Sequence, residues 1–170
     1  MVWCIVTALA AVIIDQLTKY LVVLYLKPIG YVPLWQDVLH LTYAENTGAA
    51  FGILENHRWV FMSMSVIAII GMIIFVFIYR GKKSILFNVS MGMIIGGGIG
   101  NMIDRVGNGF VVDFIDFTLI DFAIFNGADS FVCVGGALLF IYILFIDGKG
   151  NSENEKNSPD AERCGNQQQN

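Results

Sequence analysis

The sequence predicts an α-helical polytopic membrane protein: four transmembrane helices with a small β-containing extracytoplasmic cap. Three observations carry this expectation. Hydrophobic residues make up 56% of the 170-residue chain before its 18 glycines are counted. Charged residues make up 14%, against roughly 25% in soluble domains. Four apolar stretches approach the ~20 residues that an α-helix needs to cross a bilayer, and the segments between them are rich in β-branched and aromatic residues.

The first span, at about residues 2–26, is interrupted by Asp15 and Lys19. Ala8-Leu9-Ala10 resembles a signal-peptide cleavage site, but no Lys or Arg precedes it and the apolar run continues beyond it. A cleaved leader is therefore not expected. The second span (59–79) and the third (84–103) are uncharged, and the third holds GMIIGGGIGN. The fourth (128–146) begins around Asp129 and is ended by Asp147.

Lys and Arg beside short loops mark the cytoplasmic side. The densest basic cluster, Arg80-Gly81-Lys82-Lys83, joins spans two and three, and Lys149 follows span four. Both termini are thus expected in the cytoplasm. The connections at about 27–58 and 104–127 then face outward. The first contains KPIGYVPLW and DVLHLTY, which read as a short strand or two, and the second contains the β-prone GFVVDFIDFTLIDF. Both are expected to hug the membrane surface. Residues 148–170 are polar, lack large apolar side chains, and are expected to form a disordered cytoplasmic tail.

Several function classes are disfavoured. The net charge of −4 comes without a basic tract, so no nucleic-acid partner is expected. Cys4, Cys133 and Cys164 are too scattered for a disulfide framework or a zinc site. His40 and His57 are isolated and read as surface or interface residues, with no metal or cofactor implied. No G-x-S-x-G nucleophile motif is present.

The polar residues inside apolar surroundings carry the functional signal. Asp15 and Lys19 share one helix face. Asp15 lies roughly 18 Å of helix from the outer end near Lys27, close to mid-membrane. Such a pair is either structural or organises a polar interior near a site. Gly97, Gly100, Asn101 and Asp104 fall on one face of span three, where small residues permit close helix packing and Asn can bond across the contact. Gly98-Ile99-Gly100 lacks the third glycine and the βαβ context of a dinucleotide loop. Asp104 and Arg105 are expected to form an ion pair at the outer membrane edge.

Asp113 sits in VVDFIDF among apolar neighbours, which should raise its pKa. Asp129, sixteen residues on, lies at the same outer edge in this topology. Two acids sharing a proton can activate water, as in aspartic proteases, and their pKa values then belong to the pair. Asp116 and Asp121 occupy the same connection, so spacing alone does not choose a pair over solvated loop acids. Two rivals stay open on the residues alone. One is a proton-coupled carrier with Asp15, Lys19 and Asp104 as its relay, although the acids concentrate at one surface and no inverted repeat is evident. The other is a noncatalytic membrane assembly partner.

Five segments together resemble the lipoprotein signal peptidase (signal peptidase II) family. They are Asp15-Gln16-Leu17-Thr18-Lys19, Asn46-Thr47-Gly48-Ala49-Ala50-Phe51-Gly52, Gly97-Gly98-Ile99-Gly100-Asn101-Met102-Ile103-Asp104-Arg105, Val111-Val112-Asp113-Phe114 and Phe125-Asn126-Gly127-Ala128-Asp129-Ser130. They occur in family order and cover about residues 11–146. The resemblance implies an aspartic endopeptidase of the bacterial inner membrane, formed by residues 1–147 with its site at the extracytoplasmic face. It would remove the signal peptide from diacylglyceryl-modified prolipoproteins, cutting before the lipidated cysteine. Asp113 and Asp129 would be the catalytic dyad. Asn46, Gly48, Asn101, Arg105, Asn126 and Ala128 would line or support the site, with Asp104 beside them. Asp15 and Lys19 would carry the polar face of span one. Inhibition by the cyclic peptide globomycin, action as a monomer in membrane lipid, and no cofactor are further implications. Two departures stand out: the family often has Ala at Gly98 and an apolar residue at Gly127, where glycine is expected to loosen the turn into span four.

Overall fold

The structure is a computed structural model, and it describes residues 1–48, 58–79 and 84–147. Helix α1 (Val2–Leu21) continues into a π-helical turn, Val22–Leu26. Strands β1 (Tyr31–Trp35) and β2 (Leu39–Asn46) follow, then helices α2 (Arg58–Ile78) and α3 (Ile85–Gly107). Strand β3 (Val111–Asp116) and a 3-10 turn (Thr118–Ile120) lead to α4 (Gly127–Tyr142), which ends in a second π-helical turn, Ile143–Asp147. Three stretches, Val2–Leu26, Ile85–Gly107 and Gly127–Ile146, are long and apolar enough to cross a membrane by length and composition. Within α2, Met62–Ile78 is a shorter apolar stretch.

Helix α3 runs past residue 103, so Asp104 and Arg105 belong to its last turns rather than to a loop. Charge does not end a helix; loss of helical backbone geometry does. Here the chain turns at Asn108 and Gly109, whose φ of +84° suits glycine.

Glycines set how closely the helices approach. A Cβ built at Gly92 would lie 2.5 Å from Cys4 O, and one at Gly96 would lie 2.6 Å from Ala8 O. At Gly100 it would lie 2.5 Å from Asp15 Oδ2. Residue numbers rise together on α1 and α3, so these helices run parallel, with backbones in contact through small residues. Helix α4 runs the other way: Gly97 of α3 faces Ala128 and Val132, while Gly135 of α4 faces Ser90, Met93 and Ile94. The glycine at position 98 leaves a Cβ 3.2 Å from the tip of Ile69, so alanine there asks for a small side-chain adjustment.

One end of the bundle is apolar. Cys4, Val76, Phe87, Met91, Ile95 and Tyr142 form a buried cluster, with the Phe87 and Tyr142 rings 5.5 Å apart. The helix faces turned away from the bundle expose residues such as Ile13, Ile67 and Phe140, the surface that lipid tails would cover. The other end carries the sheet, ordered β1-β2-β3 and antiparallel throughout. The strands expected from KPIGYVPLW, DVLHLTY and the VVDF region are all present. Gly30, at φ +90°, donates to Leu26 O and accepts from Tyr43 N at 2.9 Å, fastening the sheet to the end of α1. Lys27 and Glu45 pair at 3.0 Å on the surface, an exposed contact of small energetic weight.

Candidate active site

The site is built where the sheet meets the polar faces of α1, α3 and α4. On α1 the buried residues are Cys4, Ala11, Asp15 and Lys19, a single stripe that faces α3. Lys19 is 3% exposed. Its Nζ donates to Asp15 Oδ2 at 2.9 Å, Asp104 Oδ2 at 3.0 Å and Asn101 Oδ1 at 3.0 Å. Asp15 is fully buried, and its Oδ1 accepts the backbone N–H of Ala128 at 2.9 Å, tying α1 to the start of α4. Asp104 Oδ2 also accepts Val112 N at 3.2 Å, which anchors β3 to α3. A buried ammonium is costly unless such partners surround it.

Asp104 therefore does not pair with Arg105 as the sequence suggested. Neighbouring helix residues point about 100° apart, so Asp104 turns inward to Lys19 while Arg105 turns into a separate cavity. Gln16 is the member of this polar network to which sequence reasoning assigned no role. Its Nε2 lies 3.2 Å from Asp15 Oδ2, 3.2 Å from Gly100 O and 3.1 Å from Asp104 Oδ1, bridging the two acids. The available signal was an amide adjacent to Asp15 within an apolar span.

Asp129 has its place by helix capping. Asn126 is the N-cap of α4; its Oδ1 accepts Asp129 N at 3.0 Å, and Asp129 Oδ2 accepts Asn126 N at 3.2 Å. This reciprocal box fixes the carboxylate at the first turn. Gly127, the first helical residue, lies between the two members of this box. A Cβ there would meet Asp15 and Thr18 at ordinary contact distances of 3.6 Å or more, so an alanine methyl fits.

Asn126 is buried and is also the hub of the site. Its Nδ2 donates to Asp113 Oδ1 at 2.6 Å and to Asn101 Oδ1 at 3.0 Å. Asn101 Nδ2 in turn donates to Asp129 Oδ1 at 2.8 Å. Asp113 Oδ2 accepts from Asn46 Nδ2 at 2.9 Å, and Asn46 Oδ1 is fixed by Gly48 N at 3.0 Å. All four oxygens of Asp113 and Asp129 therefore accept an N–H. The chain of bonds from Lys19 through Asn101 sets which way each amide faces.

Asp113 is 2% exposed on β3 and flanked by buried Val112 and Phe114. Burial pushes its carboxyl up to about 6. Asn46 opposes the rise by donating to the anion, the nearby charge of Asp129 adds to it, and Asn126 and Lys19 oppose it. Asp113 and Asp129 both line a cavity of about 430 Å³, together with Asn46, Arg105, residues 122–125, Ser130 and Cys133.

The other loop acids lie elsewhere. Asp116 Oδ2 accepts from Thr42 at 2.8 Å, opposite His40 in the ladder. Asp121 is exposed in a left-handed turn at φ +49°. Among the described residues no group of three or more His, Cys, Asp or Glu could hold a metal. Cys4 and Cys133 are free thiols. His57, Cys164, the basic cluster 80–83, the motif residues 49–52 and the tail 148–170 lie outside the described residues.

Known proteins resemble this chain over most of its length. The family model for signal peptidase (SPase) II matches residues 7–145. A lipoprotein signal peptidase of Brevibacillus brevis is 44% identical over 149 residues, covering 88% of this chain and 99% of that one. One from Caldanaerobacter subterraneus subsp. tengcongensis is 45% identical over 137 residues, covering 81% and 92%. A solved bacterial membrane enzyme superposes with a TM-score of 0.75 at 34% identity, covering 91% of this chain and 92% of the other. The match spans every element that contributes to the polar network, and the chain belongs to the signal peptidase II family of membrane proteases.

Proposed function

We propose that this protein is an aspartic endopeptidase that removes the signal peptide from diacylglyceryl-modified prolipoproteins, with Asp113 and Asp129 as its reacting pair. The observation that carries this reading is the single cavity in which both carboxylates lie, coupled through Asn126. A water between them would lose a proton to one carboxylate as its oxygen attacks the scissile carbonyl. The other, protonated, would donate to the carbonyl oxygen. Collapse of the tetrahedral intermediate then breaks the C–N bond, and a proton passes to the leaving amine. A carboxyl that titrates near 6 can hold or release a proton close to neutral pH. Arg105 lines the same cavity, and its fixed positive charge suits a developing oxyanion.

The helix order supports four spans with both termini in the cytoplasm. Parallel α1 and α3 with antiparallel α4 suit an up-down path through a bilayer, in which α2 supplies the second crossing. The sheet then lies at the extracytoplasmic face of the inner membrane as a cap over the dyad. Residues 1–147 constitute the peptidase and 148–170 a cytoplasmic tail. A substrate helix entering between spans could leave its lipid chains in the bilayer, and globomycin would compete for the same cavity. The polar cluster of Asp15, Lys19 and Asp104 serves as scaffold, since its members are bonded to one another and to the backbone. The test is cleavage of a purified diacylated prolipoprotein by the purified chain. Release of the signal peptide immediately before the lipidated cysteine is expected; no cleavage by a folded sample would reject the assignment.

A further inference from the structure

The cavity that holds Asp113 and Asp129 has two kinds of lining. Asn46, Arg105, Ser130 and the two acids are polar; apart from Cys133, the apolar lining is the single run 122–125 on the connection from β3 to α4. Phe125 is fixed against β3: its N donates to Ile115 O at 3.1 Å, and its ring stacks on Phe117 at 5.9 Å. Phe122 meets Phe125 edge-on at 5.9 Å, yet 48% of it is exposed. It therefore belongs both to the cavity lining and to the outer surface. The 3-10 turn just before it carries Leu119 and Ile120, 67% and 68% exposed. This turn is tight, because the N–H groups of Ile120 and Phe122 both donate to Phe117 O at 3.4 Å. One short turn beside the cavity thus presents three large apolar side chains outward, an exposure that marks a binding surface. Asp121 is the one charged residue between positions 117 and 125, so the turn offers no cation to a phosphate headgroup and suits a hydrocarbon chain.

We propose that Leu119, Ile120 and Phe122 form the surface over which the substrate's acyl chains leave the cavity, and that they determine specificity for the lipid. This rests on the reading of the chain as a peptidase of diacylglyceryl-modified prolipoproteins. In that reaction the lipid hangs from the cysteine that follows the scissile bond. Consecutive Cα atoms are about 3.8 Å apart, so a bond held at Asp113 and Asp129 brings the first atoms of the lipid to the cavity itself. Hydrocarbon laid against Asn46, Arg105 and the carboxylates would strip polar groups of water without replacing it. The run 122–125 gives an apolar way out, and Phe122 joins it to Leu119 and Ile120. Bilayer lipid would cover this turn equally for every substrate. The substrate's own chains cover it only when they are long enough to reach it.

The test uses the full chain in detergent and one prolipoprotein peptide whose cysteine carries either a diacetylglyceryl or a dipalmitoylglyceryl group. The variants are Phe122→Ser and the double substitution Leu119→Ser with Ile120→Ser. Leu34→Ser, at an exposed apolar position of β1, is the control. With the dipalmitoyl peptide each turn variant should lose about tenfold in kcat/KM, mostly through KM, the weight of roughly 55 Å² of apolar surface hidden from water. With the diacetyl peptide the loss should stay below about threefold, and Leu34→Ser should match wild type on both. A loss of the same size on both peptides would mean that the turn serves folding or general seating in lipid, and overturns the proposal. No loss on either peptide overturns it as well, as does an equal chain-length effect in Leu34→Ser. If Phe122→Ser does not fold, the double variant decides, since both of its positions are exposed. Failure of the peptidase reading registers separately, as no cleavage of either peptide by the folded wild-type protein.

Discussion

Replacing Lys19 by Met keeps most of the length of the side chain and removes its charge from a fully enclosed part of the protein. Three bonds disappear: those to Asp15 at 2.9 Å, Asp104 at 3.0 Å and Asn101 at 3.0 Å. Asp15 keeps Ala128 N and Gln16, and Asp104 keeps Val112 N and Gln16, but both carboxylates lose their compensating cation. Asp15 is 0% and Asp104 4% exposed, so water offers little relief. Breaking a buried ion pair by removing one partner costs about 3–5 kcal/mol. Thermal or denaturant unfolding of the detergent-solubilised protein should show a loss of that size. Adding Asp104→Asn to Lys19→Met should recover a substantial part of it, because one stranded charge is gone. A loss below about 1 kcal/mol, typical of exposed pairs, would refute the reasoning. So would a double variant no more stable than Lys19→Met alone.

Other consequences follow from the same geometry. The rise of Asp113 from an ordinary 3.8 to about 6 means that the folded protein holds this proton more tightly than the unfolded chain does. Its contribution of about 3 kcal/mol is complete below the unfolded pKa and is lost as pH rises through the folded one. Unfolding measured between pH 4 and 7 should therefore show wild type losing stability relative to Asp113→Asn; parallel curves would contradict the burial argument. Gly100→Ala forces a methyl against Asp15, which Lys19 and Ala128 hold in place, and should cost about 1–3 kcal/mol. Gly136→Ala, where nothing lies within 4 Å, is the control and should cost nothing measurable in the same unfolding assay.

The helices were legible in the sequence because their apolar runs are long and their polar exceptions few. Asp15 and Lys19 announced a buried pair through a four-residue spacing, and Asn101 and Gly100 announced a packed face. The partner of Asp104 was not legible. Its neighbour in sequence is Arg105, yet helix geometry turns the two apart and gives Asp104 to Lys19 from another helix. The close approach of α1 and α3 depends on Gly92, Gly96 and Gly100 acting together, which becomes visible once both helices are placed. The association of Asp113 with Asp129 was beyond spacing alone, since Asp116 and Asp121 competed. It arises because Asn126 caps α4 with one set of atoms and binds Asp113 with another. Family resemblance pointed to the pair; the capping box shows physically how the two acids come to share a site.

The central claim is that Asp113 and Asp129 act together on the scissile bond. It is tested most directly by measuring cleavage of a diacylglyceryl-modified prolipoprotein by Asp113→Asn and Asp129→Asn, each shown by its unfolding temperature to be folded. Asp116→Asn and Asp121→Asn, which alter acids outside the cavity, serve as controls. Each dyad variant is predicted to lose about 10³-fold or more in kcat, while the controls retain near-normal turnover. Near-normal cleavage by either folded dyad variant would contradict the account.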